Sequence, residues 1–143
     1  MNSIELLSGT RTGLWLAATA ALTGCFWIPY VLDRLARLGV MGVVGNPRPE
    51  DPGRQSAWAR RARQAHANAT ENLVVFATLA TLAIVSGHGN TPLAVGAAEA
   101  YFYARAVHFV VYAAGIPVLR TLAFTAGFCA QVAIALTLFG GGA

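Results

Sequence analysis

Gly13-Leu14-Trp15-Leu16-Ala17-Ala18-Thr19-Ala20-Ala21-Leu22-Thr23-Gly24-Cys25-Phe26-Trp27-Ile28-Pro29-Tyr30-Val31-Leu32 runs for 20 residues without a charge. A helix needs about 20 apolar residues to cross the hydrocarbon core of a bilayer. A second stretch without charge runs from Asn72 to Ala98. The whole composition agrees with these two stretches. Of the 143 residues, 56% are hydrophobic and 11% charged, against about 25% charged in a typical soluble domain. So few charges leave too little to cover a wet surface, and a water-soluble fold is excluded. The length leaves room for a single domain, residues 1–143.

Proline and glycine divide the rest. The chain reads as an all-α membrane protein of four transmembrane helices, over about 13–37, 57–86, 92–114 and 118–139. Pro29 is expected to kink the first span, which neighbouring helices tolerate in a membrane. Gly39, Gly42 and Gly45 lead into Asn46-Pro47-Arg48-Pro49-Glu50-Asp51-Pro52-Gly53, which is no helix interior. Ser86–Pro92 and Gly115-Ile116-Pro117 are turns. Met1–Thr12 has a weak positive region and precedes an apolar run too long for a signal peptide, so the first span is expected to be retained. Cys25 and Cys129 fall inside spans without metal-ligand spacing and read as small buried apolar side chains. No metal site is expected, because His66 and His108 lack close ligand spacing and His88 sits in a glycine-rich, solvated turn.

All ten basic residues are Arg, and the net charge is +4. Seven of the ten, Arg34, Arg37, Arg48, Arg54, Arg60, Arg61 and Arg63, lie in or beside the first connection. Positive charge favours the cytoplasmic side. The first and third connections are therefore expected in the cytoplasm and both termini on the far side. The basic stretch lacks interleaved aromatics for base stacking, so nucleic acid is not an expected partner. Arg in place of Lys and abundant Ala fit a GC-rich coding sequence, which points to a bacterial inner membrane.

Ionisable groups within a bilayer are costly, about 2.5–3.5 kcal/mol at its centre on insertion scales, so they face a cavity or a partner. Arg61, Gln64, Asn68 and Glu71 follow steps of three and four and share one helical face. His66 lies off that stripe. Arg105, His108 and Tyr112 form a second face, and Arg120 and Thr121 open the fourth span. Both faces lie towards the cytoplasmic ends of their helices. Two readings fit. Glu71 braces the bundle by pairing with Arg105 or Arg120. Alternatively, the two faces build an Arg-rich pocket for a small anion, the planar guanidinium suiting carboxylates.

Arg61-Ala62-Arg63-Gln64-Ala65-His66-Ala67-Asn68-Ala69-Thr70-Glu71-Asn72-Leu73 resembles the signature of the MAPEG family, membrane-associated proteins in eicosanoid and glutathione metabolism. The family pattern is Arg-Ala-His-x-Asn-x-x-Glu-Asn at the start of the second helix. Ala104-Arg105-Ala106-Val107-His108-Phe109-Val110-Val111-Tyr112, followed by Gly115-Ile116-Pro117-Val118-Leu119-Arg120-Thr121, is similar to the family's junction of third and fourth helices. The resemblance implies a left-handed four-helix bundle forming a homotrimer. It implies glutathione as co-substrate, seated between subunits near the cytoplasmic face. Asn68 and Glu71 would hold the glutathione backbone, with Glu71 on the amino group. His108 and Tyr112 would line the site and Arg105 support it. Arg120 would stabilise the thiolate with Thr121 beside it, and Arg34 or Arg37 would reach in from the adjacent subunit.

The sequence also departs from the pattern. Ala67 stands where eicosanoid-synthesising members carry Arg before the Asn, Gln64 stands at the earlier Arg, and Phe124 replaces a Tyr found in some members. An arginine for a glutathione carboxylate is thus missing, and Arg61 and Arg63 are the candidates to substitute for it. The resemblance implies a glutathione transferase or peroxidase acting on a lipophilic electrophile or lipid hydroperoxide that enters from the bilayer. The alternative is a non-catalytic lipid- or partner-binding membrane protein of the same fold, a type the family contains. An accessory subunit of a larger complex is a third possibility, to which no residue points.

Overall fold

The computed structural model describes residues 9–46 and 54–139, and five helices occupy most of them. Met1–Ser8, the proline-rich connection Pro47–Gly53 with Arg48, and the glycine tail from Gly140 lie outside the described residues.

The first span is built from α1 (Arg11–Cys25) and α2 (Trp27–Val44). Thr10 caps α1, its hydroxyl accepting from the Gly13 N–H at 3.1 Å. The break falls at Phe26, three residues before Pro29 and directly after Cys25. Proline has no N–H for the carbonyl of residue 25, and its ring crowds that carbonyl. The Phe26 N–H turns back to Thr23 O at 3.1 Å. α2 also outlasts the expected loop start. At Gly39 the backbone takes φ 68°, ψ −179°, a conformation open essentially to glycine. Beyond it the chain coils on to Val44, so Gly42 lies in a helical turn and not in a loop.

α3 (Ala57–Val85), α4 (Pro92–Ala114) and α5 (Pro117–Phe139) complete the bundle. The start of α3 is pinned to α2 by Asp33. The Ser56 N–H donates to Asp33 Oδ2 at 3.0 Å, and the Ser56 hydroxyl donates to the same carboxylate. α4 opens on a Thr91 cap with Pro92 at its first position and closes on Gly115, whose φ of 79° gives the left-handed cap that turns the chain into α5. α1 and the α3–α4 turn meet at the other end, where the Arg11 N–H donates to Asn90 Oδ1 at 2.9 Å.

α4 is the central element. It packs most extensively on α5 and also on α3 and α1. In the core Phe76 stacks on Tyr101 with ring centres 4.0 Å apart, surrounded by Ala80, Ala83, Ala97, Ala98, Ala130 and Ile134. Small residues let membrane helices approach closely. The outside is apolar as well, with Leu14, Leu32, Val74, Val107, Leu122, Phe128 and Leu136 all exposed. On a soluble protein so much apolar surface would be an aggregation hazard; a bilayer is its matching solvent.

Cys25 and Cys129 belong to that outer surface and are exposed, contrary to the expectation of burial. The reason is that lipid-facing and core-facing positions are equally apolar. Three helical segments are long and apolar enough to cross a membrane: Arg11–Val44, Ala57–Val85 and Pro117–Phe139. α4, with 23 residues, has the length but not the hydropathy. Glu99, Arg105 and His108 interrupt it, and Arg105 and His108 turn into the bundle with 1% and 2% exposure.

Candidate functional site

α3 and α4 run antiparallel, and a ladder of polar contacts crosses between them from the α4–α5 turn inward. Arg61 Nε donates to Ala113 O at 2.9 Å. The Tyr112 hydroxyl donates to Gln64 Oε1 at 3.4 Å. Arg105 Nη1 donates to Asn68 Oδ1 at 3.2 Å. Deeper still, Gln131 of α5 donates from Nε2 to Asn72 O at 3.1 Å. Arg120 joins from α5 with its guanidinium carbon 4.6 Å from the centre of the Tyr112 ring. His108 sits edge-on to Tyr112, ring centres 5.5 Å apart. Arg61, Gln64, Asn68, Arg105, His108, Tyr112 and Arg120 are thus brought to one end of the bundle.

Arg105 is the least ordinary member. Its guanidinium carbon lies 5.0 Å from the Tyr101 ring centre and 5.4 Å from that of Phe124. Gly127 makes the room, since a Cβ there would stand 3.1 Å from Nη2 and 3.3 Å from Cζ. Nε and Nη2 have no hydrogen-bond partner among the described residues, nor has His108 Nδ1. Among the described residues no carboxylate pairs with Arg105. A buried cation without a counter-ion is expensive, as is each orphaned donor. The interior of this end is therefore positive and suited to an anion.

Other expected site residues do not join the ladder. Glu71 is exposed on α3 and makes no hydrogen bond or ion pair among the described residues. The reading in which it braces helices against Arg105 or Arg120 is overturned. Asn68 takes the inward position, and Glu71 rotates onto the outer stripe. Thr121 is exposed, its hydroxyl donating back to Pro117 O at 3.1 Å. On α2, Arg34 Nε donates to Gly42 O at 2.7 Å, and Arg37 pairs with Asp33 at 3.1 Å. Both of these contacts lie within α2.

Sequence reasoning missed Tyr101, Gly127 and Gln131. Gln131 had a signal, being the only amide in α5. His66, off the stripe as expected, has a partner of its own: Tyr30 OH and His66 Nδ1 lie 3.0 Å apart. His88 is half-buried in its turn, with Nδ1 lacking a partner among the described residues.

Two hollows open at the start of α3, the second of them facing α2. One, of about 290 Å³, is lined by Gln55, Arg60, Arg63, Gln64 and Ala67. The other, of about 340 Å³, is lined by Tyr30, Val31, Arg34, Val43, Gly45, Gln55 and Arg63. Gln55 and Arg63 are common to both. Guanidinium groups favour the charged form of an acidic group placed beside them, and this end of the bundle gathers several of them.

No curated protein and no solved structure matches the chain. The family model described as the MAPEG family matches residues 11–140. The match takes in all five helices and every residue of the ladder, and by it the chain belongs to the MAPEG family.

Proposed function

We propose that the chain is a membrane glutathione transferase or glutathione-dependent peroxidase acting on a lipophilic electrophile or lipid hydroperoxide. Family membership points to glutathione- or eicosanoid-related metabolism in a membrane. The observation that supports the finer reading is the convergence of Asn68, Arg105, His108, Tyr112 and Arg120 at one end of the bundle, with Arg105 buried and no carboxylate paired with it among the described residues.

In this reading Asn68 and Glu71 hold the glutathione backbone. Glu71 meets the ammonium of the γ-glutamyl end, a role that requires a carboxylate without an internal partner. Arg105, His108 and Tyr112 line the site, and Arg61 fixes its rim at the α4–α5 turn. The bundle is left-handed, all four spans cross the bilayer and three copies assemble. Arg34 or Arg37 reaches a neighbour's site. The first connection faces the cytoplasm of a bacterial inner membrane and both termini the other side.

The chemistry is carried by Arg120, whose guanidinium holds the glutathione sulfur as thiolate; Thr121 stands next to it as a hydrogen-bond donor. The thiolate attacks an electrophilic carbon, an S–C bond forms, and a leaving group departs or the adduct takes a proton. With a hydroperoxide the thiolate takes the terminal oxygen. The alkoxide leaves as alcohol, and a second glutathione reduces the sulfenate, giving disulfide and water.

The test is glutathione-dependent turnover of a lipophilic electrophile in detergent, with calorimetric glutathione binding measured alongside. Arg120→Ala is expected to abolish turnover and leave binding largely intact; full activity in that variant refutes the Arg120 mechanism. Glu71→Gln is expected to lose binding. The uncharged Gln64 and Ala67 favour one other reading, a non-catalytic lipid- or partner-binding protein of the same fold. An absence of glutathione binding at millimolar concentration would select it.

A further inference from the structure

The end of the bundle opposite the ladder has a cation of its own. Arg11 opens α1 beside the α3–α4 turn, and among the described residues no other arginine stands there. The first backbone N–H groups of α1 are taken: that of Arg11 by Asn90 Oδ1 at 2.9 Å, that of Thr12 by Gly89 O at 3.3 Å and that of Gly13 by the Thr10 hydroxyl at 3.1 Å. The guanidinium is not. It is exposed and makes no hydrogen bond or ion pair among the described residues.

Arg11 lines a hollow of about 320 Å³ with Leu14, Trp15 and Ala18. Trp15 packs on Phe102 and Tyr103 of α4, with ring centres 5.3 and 5.8 Å away, and Tyr103 is itself exposed. Tryptophan and tyrosine gather where hydrocarbon meets water, so these rings and the α3–α4 turn mark that boundary. No carboxylate among the described residues lines the hollow; Glu99, one turn before Tyr103 on α4, stays outside it. Beyond the hollow, Leu14, Ala18, Ala21 and Cys25 follow steps of four, three and four and share one face of α1. Their small side chains after Leu14 leave a shallow apolar groove. From Arg11 to Ala21 the helix rises roughly 15 Å at 1.5 Å per residue, half of the roughly 30 Å hydrocarbon core. The groove is therefore one leaflet long, cationic at its water end and apolar below, which is the outline of a phospholipid.

We infer that this groove binds an anionic phospholipid from the leaflet on the side of the α3–α4 turn, with Arg11 on the headgroup phosphate and an acyl chain along Ala18 and Ala21. The guanidinium fork matches phosphate oxygens. The hollow offers a cation and no carboxylate, so it favours a net-negative headgroup over a zwitterionic one, whose ammonium opposes the attraction. A free phosphate ion could use Arg11 but gains nothing from the apolar floor. The site lies at the opposite end from the ladder and does not depend on the glutathione reading.

Trp15 reports on the groove directly. Trp27 and Trp58 are both exposed, and Trp27→Phe with Trp58→Phe leaves Trp15 as the sole tryptophan of the full chain. This protein is reconstituted into unlabelled phosphatidylcholine, and phosphatidylglycerol or phosphatidylcholine with brominated acyl chains is titrated in while quenching of Trp15 is followed. The brominated phosphatidylglycerol is expected to bind about fivefold more tightly, the effect of one arginine at an anionic headgroup. Arg11→Gln should bring the two lipids together and leave quenching by phosphatidylcholine unchanged, which also shows that the variant is folded. Arg11→Lys should keep most of the preference, and Arg63→Gln, at the other end of the bundle, should keep all of it. Equal quenching by the two lipids before Arg11 is altered overturns the inference, as does a preference that survives Arg11→Gln. Release of the lipid by millimolar inorganic phosphate overturns it in favour of a free-anion site. Absence of quenching by either lipid, the result expected if a second copy of the chain covers the groove, overturns it as well.

Discussion

Replacing Arg105 by Met should move stability and ligand binding in opposite directions. Met is unbranched and fills irregular space with little strain. The guanidinium makes one hydrogen bond, to Asn68 at 3.2 Å, and lies against two aromatic rings, at 5.0 and 5.4 Å. The bond is worth about 1.5 kcal/mol and each ring contact about 1 kcal/mol, so roughly 3–4 kcal/mol favours the arginine. Against it stand two orphaned donors, Nε and Nη2, at about 1–3 kcal/mol each. Withdrawal of a full charge from water adds several kcal/mol more after relaxation. Replacing a buried charge by an apolar side chain of similar volume is commonly neutral or stabilising. Arg105→Met is therefore expected to leave the melting temperature of the ligand-free protein unchanged or raise it by several degrees, at about 2–4 °C per kcal/mol. Glutathione binding by calorimetry should weaken by on the order of tenfold. A fall in stability of more than about 2 kcal/mol, well outside the range for such replacements, would refute the reasoning, because the charge would then be a net brace of the bundle.

Three further outcomes follow from the same geometry. Gly127→Ala puts a Cβ 3.1 Å from Arg105 Nη2; it should lower thermal stability by about 1–3 kcal/mol, and Arg105→Met in the same chain should relieve most of the loss. Arg61→Met removes the 2.9 Å contact to Ala113 O at the α4–α5 turn, and amide hydrogen exchange at Gly115 and Ile116 should quicken with little change deeper in α4. Gly39→Ala forces a side chain onto φ 68°, and thermal unfolding should show a loss of about 1–3 kcal/mol, smaller if α2 re-forms as a straight helix through residue 39.

What was legible in the sequence followed from periodicity and from the rarity of charge. Gly13–Leu32 declares itself by having none, and the steps from Arg61 to Asn68 and from Arg105 to Tyr112 mark the two faces that meet in the ladder. Proline's effect was harder to place. Pro29 was visible as a disruptor, but it acts on the carbonyl four residues upstream, so the break appears at Phe26. Gly39 looked like a loop residue and is a hinge within a helix. Burial was the least legible property. A membrane bundle is apolar on both sides, so Cys25 and Cys129 gave no sign that they face outward. The rotation of α3 was unreadable for the same reason, and with it whether Glu71 turns towards Arg105 or away. Tyr101 and Gly127 gave no signal because their roles depend on Arg105, which is remote in sequence.

The distribution of charge bears on why the site exists. Arg105 is buried, and Arg61 and Arg120 are half-buried around it, while Glu71 and Glu99 lie on the outer surface. If these cations were present to brace helices, a carboxylate beside Arg105 would serve better than one exposed on the outer stripe. As it stands the interior carries positive charge that nothing within the described residues neutralises. The low dielectric that makes this costly also strengthens the attraction for any anion that enters. Folding thus leaves the bundle short of one negative charge. In the proposed reading, a glutathione thiolate at Arg120 would supply one. The same field would favour that anion over its neutral thiol, so in that reading binding and activation would draw on a single feature of the fold.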